Sequence, residues 1–360
     1  MSNEKVKLRQ VCFSLIAFAT VLKIIVLPSF VSGFAKENLW ISILLNFILD
    51  GAMIFIVLKI SDRFKGLTFY QILIENCGEI PTKIIMCLYA LYFILKAYVP
   101  ILEQKSFVEI ALYETTHVVW IFAPIFLISC FFSYKGLKTV GRISDLLIWV
   151  SLFAIIVLLS LSIPACDLTN LLPIAIGVPF KNVLQGSRFS LLWFFDSTYI
   201  LFFIGKFKTE KLAKTKIMLS YLVVALIVTA FFCVLYCEFG PLTERQHFAP
   251  IKMGKYYLSF SNSGRIDYLA GFALAIVCVF AITLPLVFSS LCLSHSFNFK
   301  HKIIPCIIVN GVTAIIFFAT QNFFFNVFSI IMKYGVYFLL FMAYALPLIT
   351  LFFKKGRVKK

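Results

Sequence analysis

Apolar runs of about 20 residues, each ended by a short cluster of Lys, Arg, Pro, Gly or Asn, repeat along almost the whole chain. A helix of that length, rising about 1.5 Å per residue, matches the hydrocarbon core of a bilayer. Ten spans are predicted, at about 10–32, 38–60, 80–102, 117–134, 140–162, 188–206, 214–237, 266–292, 303–320 and 326–353. The third is expected to continue as a helix past the membrane surface through Glu103, Glu109 and Glu114. The eighth is long enough to tilt or to break near Pro285. The longest connections, 163–187 and 238–265, carry Pro, Gly and some apolar residues, and each is expected to form a short surface helix.

Composition agrees. Hydrophobic residues make up 61% of the 360 and charged residues 14%, with a mean hydropathy of +0.98. A soluble domain of this length could not hide that much apolar surface, so the solvent is lipid. The net charge of +17 would suit a nucleic-acid binder, but no extramembrane segment is long enough to fold as a basic domain. The charge instead alternates between connections. The segments 5–9, 59–83, 135–142, 206–216, 300–302 and 354–360 hold 22 of the 33 Lys and Arg, and the opposite set holds eight. By the positive-inside rule both termini are expected in the cytoplasm, which requires an even number of spans. The basic-then-apolar start lacks a small-residue cleavage site and reads as a first span rather than a removable leader.

The ten Cys are scattered without a CxxC pair, as small reduced hydrophobes. The four His have no ligand spacing, and GxSxG, HExxH and P-loop motifs do not occur. No cofactor, metal or catalytic residue is expected, and the chain is read as a non-enzyme.

The informative residues are charges inside the spans: Lys23, Asp50, Lys96, Asp196 and Lys333. An unpaired charge at the centre of a bilayer costs about 2.5–3.5 kcal/mol on insertion scales. Ser42, Asn46 and Asp50 recur every four residues and share one helix face. Tyr92 and Lys96 do the same, with Tyr89 and Glu103 seven residues either side of Lys96. Such stripes face the bundle interior, where they serve either helix–helix hydrogen bonding or coupling and binding. In the first span Lys23 precedes Pro28 and Ser29; in the sixth, Asp196 is followed by Ser197, Thr198 and Tyr199. Pro28 frees a carbonyl near Ile24, and Asp, Ser and Thr compete for backbone groups. Interruptions at corresponding positions in two halves point to a transporter's binding site. Lys23, Pro28, Ser29, Asp196, Ser197, Thr198 and Tyr199 are therefore the predicted substrate-binding residues, with Asp50, Asn46 and Lys96 as interior polar or coupling residues. Counted at about 1.5 Å per residue, Lys23 and Asp196 fall at similar depth and are expected to face one another across a midplane cavity; a plain structural ion pair is the alternative. Arg265 and Asp267 are expected to cap and anchor the eighth span at the outer surface.

The phrases "VLPSF" (26–30), "ENLWISILL" (37–45), "LKTVGRISDLL" (137–147) and "SNSGRIDYLAGFALAIVCVF" (261–280), in this helix order, resemble the spore-germination permease family of the GerAB type. That family is similar to the amino acid–polyamine–organocation transporters. The resemblance implies an all-α membrane domain over 1–360 with a leucine-transporter-like fold. Its 5+5 inverted repeat would cover about 10–162 and 188–353, with the first and sixth helices broken around a site for an amino acid or similar nutrient. It further implies a germinant receptor in the spore inner membrane, with two partner subunits, one membrane-anchored with a soluble domain and one a lipoprotein. The chain departs from the wider superfamily in carrying Lys23-Ile-Ile-Val-Leu-Pro28 where a Gly-rich break is usual. It also has Asp196 where many relatives have Glu. A proton-coupled amino-acid permease and a non-transporting membrane scaffold are the alternative functions.

Overall fold

The computed structural model describes residues 5–111, 118–173, 177–207, 212–253 and 266–353. Among them the chain is helical, with one isolated parallel bridge between Val6 and Phe207 as its only extended pairing. Helices α1 (Leu8–Ile24) and α2 (Leu27–Ala35) form the first span, and α3 (Leu39–Arg63) the second. The short α4 (Phe69–Cys77) leads into α5 (Glu79–Ala111), the third, which continues past the predicted boundary through Glu103. The fourth and fifth are α6 (Val118–Lys135) and α7 (Leu137–Ser162). Glu114 lies outside the described residues.

The sixth span is built from α8 (Phe180–Ser190), a 3-10 turn at Leu191–Trp193 and α9 (Ser197–Phe203). It begins eight residues earlier than its apolar stretch suggests, because the polar residues Lys181, Asn182 and Gln185 in the first turns of α8 hide the helix from hydropathy. Next come α10 (Ala213–Phe239) and the four-residue α11 (Ala249–Lys252). Beyond these, α12 (Ile266–Phe297) passes Pro285 as one helix, and α13 (Ile303–Thr320) follows. Asp267 is the second residue of α12, and Arg265 lies outside the described residues. The last span runs as α14 (Phe324–Ile330), α15 (Val336–Leu340) and α16 (Leu346–Leu351), joined by π-helical turns at Ile331–Gly335 and Phe341–Ala345.

Among the described residues, seven helical stretches are long and apolar enough to cross a membrane. The broken spans supply shorter pieces. They form the centre of the bundle: α1 packs on α7, α10 and α12, and all seven residues of α9 are buried. The outer helices are apolar toward the surroundings. On α7, Leu146, Trp149, Phe153 and Ile156 form an exposed stripe while Ser144 and Ser151 face inward. Leu219, Leu222 and Leu226 do the same on α10. Water would penalise this inside-out pattern; lipid favours it. The chain is a multi-pass membrane protein.

Candidate functional site

The two interruptions arise differently. Helix α1 ends at Ile24, four residues before Pro28, whose ring would crowd that turn and whose nitrogen cannot donate. The backbone restarts at Leu27 with Pro28 in the first turn of α2, where proline is tolerated. Ser29 is buried and donates its hydroxyl to the Val26 carbonyl at 2.9 Å, beside the Phe30 N–H that bonds to the same oxygen at 3.3 Å. At the break in the sixth span, from Leu191 to Phe203, no glycine or proline is present. The 3-10 turn stops at Trp193, Phe194 is extended in ψ (φ −91°, ψ −148°), and Phe195 takes a left-handed φ of 68°. That conformation is uncommon for a bulky residue and persists only where the surroundings impose it.

Charged side chains impose it. A helix stopping in hydrocarbon leaves carbonyls at one end and amides at the other without partners. Lys96, from α5, donates its ammonium to the Phe194 carbonyl and, at 3.4 Å, to that of Leu192. Asp50, from α3, accepts the backbone N–H of Asp196 at 2.8 Å and that of Ser197 at 3.5 Å. A cation thus sits at the carbonyl end of the upstream piece and a carboxylate at the amide end of the downstream piece, each with the sign the helix dipole favours. The hydroxyls of Tyr221 and Tyr344 also donate to Asp50, at 3.0 and 3.3 Å. Tyr344 lies in the second π-turn of the last span.

The rest of the Ser42–Asn46–Asp50 stripe closes α3 onto α8. Ser42 donates to the Val183 carbonyl at 2.8 Å; Asn46 donates to the Ser187 carbonyl and to Ser190, and accepts from the Ser187 hydroxyl. On α5, Tyr92 pairs with Thr198 at 2.9 Å, and Glu103 accepts from the Trp193 indole at 2.6 Å.

Between the two breaks lies an ion pair. The Lys23 Nζ is 2.6 Å from Asp196 Oδ2, with side chains 0% and 1% exposed. Lys23 also donates to the Ala19 carbonyl at 3.3 Å, and the Phe194 ring centroid lies 4.9 Å from its ammonium. The buried hydroxyls of Thr20 and Tyr199 have no hydrogen-bond partner among the described residues. Each residue stands three positions along the chain from one member of the pair, which leaves unused polar capacity on the same two helices.

The structure therefore brings Lys23, Asp196, Asp50, Asn46, Lys96 and Thr198 into one connected region, with Ser197 held to it through its backbone and Tyr199 adjoining the pair. Pro28 and Ser29 shape the break in the first span. Two expectations change. The side chains of Lys23 and Asp196 meet directly instead of facing one another across open space: among the described residues, the voids near them, one touching Tyr199 and one touching Lys96, hold about 10 Å³ each. Lys333 takes no part. It is exposed on the first π-turn, with its ammonium 5.2 Å from the Tyr334 ring, because its position on the helix faces away from the bundle. Tyr221, Tyr344, Trp193 and the Phe194–Phe195 hinge went unread. In the sequence they are aromatic residues in apolar spans, indistinguishable from packing.

A membrane bundle with its first and sixth spans broken beside one another is a transporter fold, leucine-transporter-like. Two crystal structures of mutants of the Eremococcus coleocola manganese transporter are similar to it, with TM-scores of 0.60 and 0.58 at 12% and 13% identity. Each match covers 94% of this chain and 78% of the other. No curated protein sequence matches the chain. The family described as Spore germination protein matches residues 5–326, and the chain belongs to this spore-germination permease family. Among the described residues no three His, Cys, Asp or Glu gather as a metal site.

Proposed function

We propose that the chain is the permease-like subunit of a spore germinant receptor and binds an amino acid, or a similar small zwitterion, between the breaks of the first and sixth spans. The observation that carries this is the fully buried Lys23–Asp196 contact at 2.6 Å, with the unpartnered hydroxyls of Thr20 and Tyr199 three positions along the chain from it. A zwitterion offers a carboxylate to Lys23 and an ammonium to Asp196. It can replace both halves of the pair at once, leaving neither charge stranded. A ligand of single charge would leave one partner buried alone, which costs about 3–5 kcal/mol. Asp50 and Lys96 hold the sixth-span backbone in place and are assigned to positioning.

In this reading the basic loops face the cytoplasm, the protein sits in the spore inner membrane, the two halves about 10–162 and 188–353 are inverted repeats, and the partners are an anchored soluble-domain subunit and a lipoprotein. The transporter fold also supports a second reading, a proton-coupled amino-acid permease, because fold does not fix function. Calorimetric titration of the purified full-length chain with the twenty amino acids tests the site. Binding of at least one, abolished by Lys23→Met and by Asp196→Asn while both variants remain folded, is expected; binding that survives both substitutions overturns it. Uptake of the bound amino acid into proteoliposomes decides for the permease.

A further inference from the structure

A cavity with an open mouth and a mixed polar and apolar lining, which includes neither Lys23 nor Asp196, lies at the end of the bundle that carries the N-terminal segment. It has a volume of about 320 Å³, and Lys5, Lys135, Lys206 and Lys302 all line it. They come from four separate segments: the strand-like start, the end of α6, the turn after α9 and the start of α13. For Lys5 and Lys206 the backbone enforces the convergence. The Val6 N–H donates to the Lys206 carbonyl at 2.8 Å, and Val6 bridges Phe207, so the segments of Lys5 and Lys206 run side by side. No Asp or Glu lines the chamber, and none of the four lysines has a carboxylate partner among the described residues.

Helix ends add to the same field. The residues preceding α4, α7 and α13, namely Thr68, Gly136 and Lys302, all border the chamber. Three helices of nine or more residues thus direct their amide ends at it. For α7 and α13 no side chain caps those amides, and none of the three carries an acidic residue in its first turn. Helix N-termini carry partial positive charge and unpaired N–H groups suited to oxyanions. The hydroxyls of Ser133, Ser290 and Ser294 supply neutral polar contacts on the walls.

We infer that this chamber binds a phosphate-bearing anion, through Lys5, Lys135, Lys206 and Lys302 and the amide ends of α7 and α13. A multiply charged oxyanion is the occupant that matches four ammonium groups with no internal counter-charge, since a single carboxylate would leave most of the repulsion in place. The volume lies at the lower end of the range for small-molecule sites and accepts a phosphate with a modest organic group. That phosphate belongs either to a free compound or to an anionic lipid headgroup reaching in from the adjoining membrane surface. Nothing in this inference depends on Lys23 or Asp196.

The test uses the full-length chain in neutral detergent, with inorganic pyrophosphate as the soluble probe and sodium chloride at matched ionic strength as the control. A parallel series places the chain in phosphatidylcholine nanodiscs with and without phosphatidylglycerol. Pyrophosphate is expected to raise the thermal midpoint beyond the salt control, and its apparent affinity to fall about tenfold on losing each charged contact in Lys206→Gln and Lys302→Gln. Lys59→Gln, a change of an exposed lysine on α3 that does not line the chamber, is expected to leave it unchanged. Stabilisation by phosphatidylglycerol alone, lost in the same two variants, assigns the site to a lipid headgroup and still supports it. Failure of both probes to stabilise the protein overturns the inference, and so does an equal loss with Lys59→Gln. Should Lys206→Gln not fold, the exposed Lys302 keeps the comparison decisive.

Discussion

Asp50 and Asp196 are both buried carboxylates, and the first holds the second by its backbone: the Asp196 N–H donates to Asp50 Oδ2 at 2.8 Å while the Asp196 side chain turns to Lys23. Two acidic groups that would repel across a shared site are thus given separate duties. One completes a helix end and the other completes an ion pair, and each duty predicts a different response to substitution.

Removing either member of the Lys23–Asp196 pair strands the other in a dry interior. Lys23→Met and Asp196→Asn are each expected to cost about 3–5 kcal/mol, whereas the double variant Lys23→Met/Asp196→Asn should regain most of that loss. Thermal unfolding in detergent, followed by tryptophan fluorescence, gives the three values. Additive losses in the double variant would contradict a direct pair.

Asp50→Asn keeps an acceptor oxygen of the same size but removes the charge that complements the start of α9. A loss of about 0.3–2 kcal/mol is expected. Asp50→Leu removes the acceptor as well, leaving the Asp196 amide and two tyrosine hydroxyls without it, and should cost at least 1–3 kcal/mol more. The ordering of the two variants in the same unfolding assay is the check.

Lys96→Met leaves the carbonyls of Phe194 and Leu192 unsatisfied inside the bundle. A loss of about 1–3 kcal/mol is expected, together with faster amide hydrogen exchange confined to residues 191–199. Uniform exchange along the chain would show that Lys96 supports the whole fold and not the break.

Gly205 has φ +74°, and a Cβ there would meet the Leu67 carbonyl oxygen at 2.6 Å and the Thr68 nitrogen at 2.7 Å. Both are backbone atoms that cannot turn aside. Gly205→Ala is expected to destabilise by about 1–3 kcal/mol, whereas Gly66→Ala, with φ +83° and open space around it, should lose about 1 kcal/mol or less from backbone strain alone.

Thiol labelling of intact cells tests orientation. Lys181→Cys should react with an impermeant reagent and Lys65→Cys should not; both side chains are exposed, and the charge asymmetry predicts that they lie on opposite sides. The reverse pattern would invert the membrane topology.

The spans, the stripe on α3 and the meeting of Lys23 with Asp196 were legible because they rest on rules that act along one helix. Those rules are the length needed to cross lipid, the four-residue repeat and the cost of an isolated charge. Pro28 announced the first break for the same reason. The second break was only half legible. Its cause is not a residue at the hinge but two charges, Asp50 and Lys96, delivered by other helices, and nothing local to Phe194 and Phe195 reports that. Tyr221 and Tyr344 were hidden for a related reason: a hydroxyl's partner is a fact about the fold. Lys333 misled because depth along a helix does not say which side of it faces out.

The closed ion pair also has a consequence for dose. If nutrient enters only when Lys23 and Asp196 part, the fraction of molecules with the pair open multiplies the intrinsic affinity, and every 1.4 kcal/mol of preference for the closed state raises the half-maximal concentration about tenfold. On the proposed function, the 2.6 Å contact would act as a threshold setting. Substitutions that weaken it without stranding a charge, such as Asp196→Glu, should shift the response to leaner conditions before they abolish it.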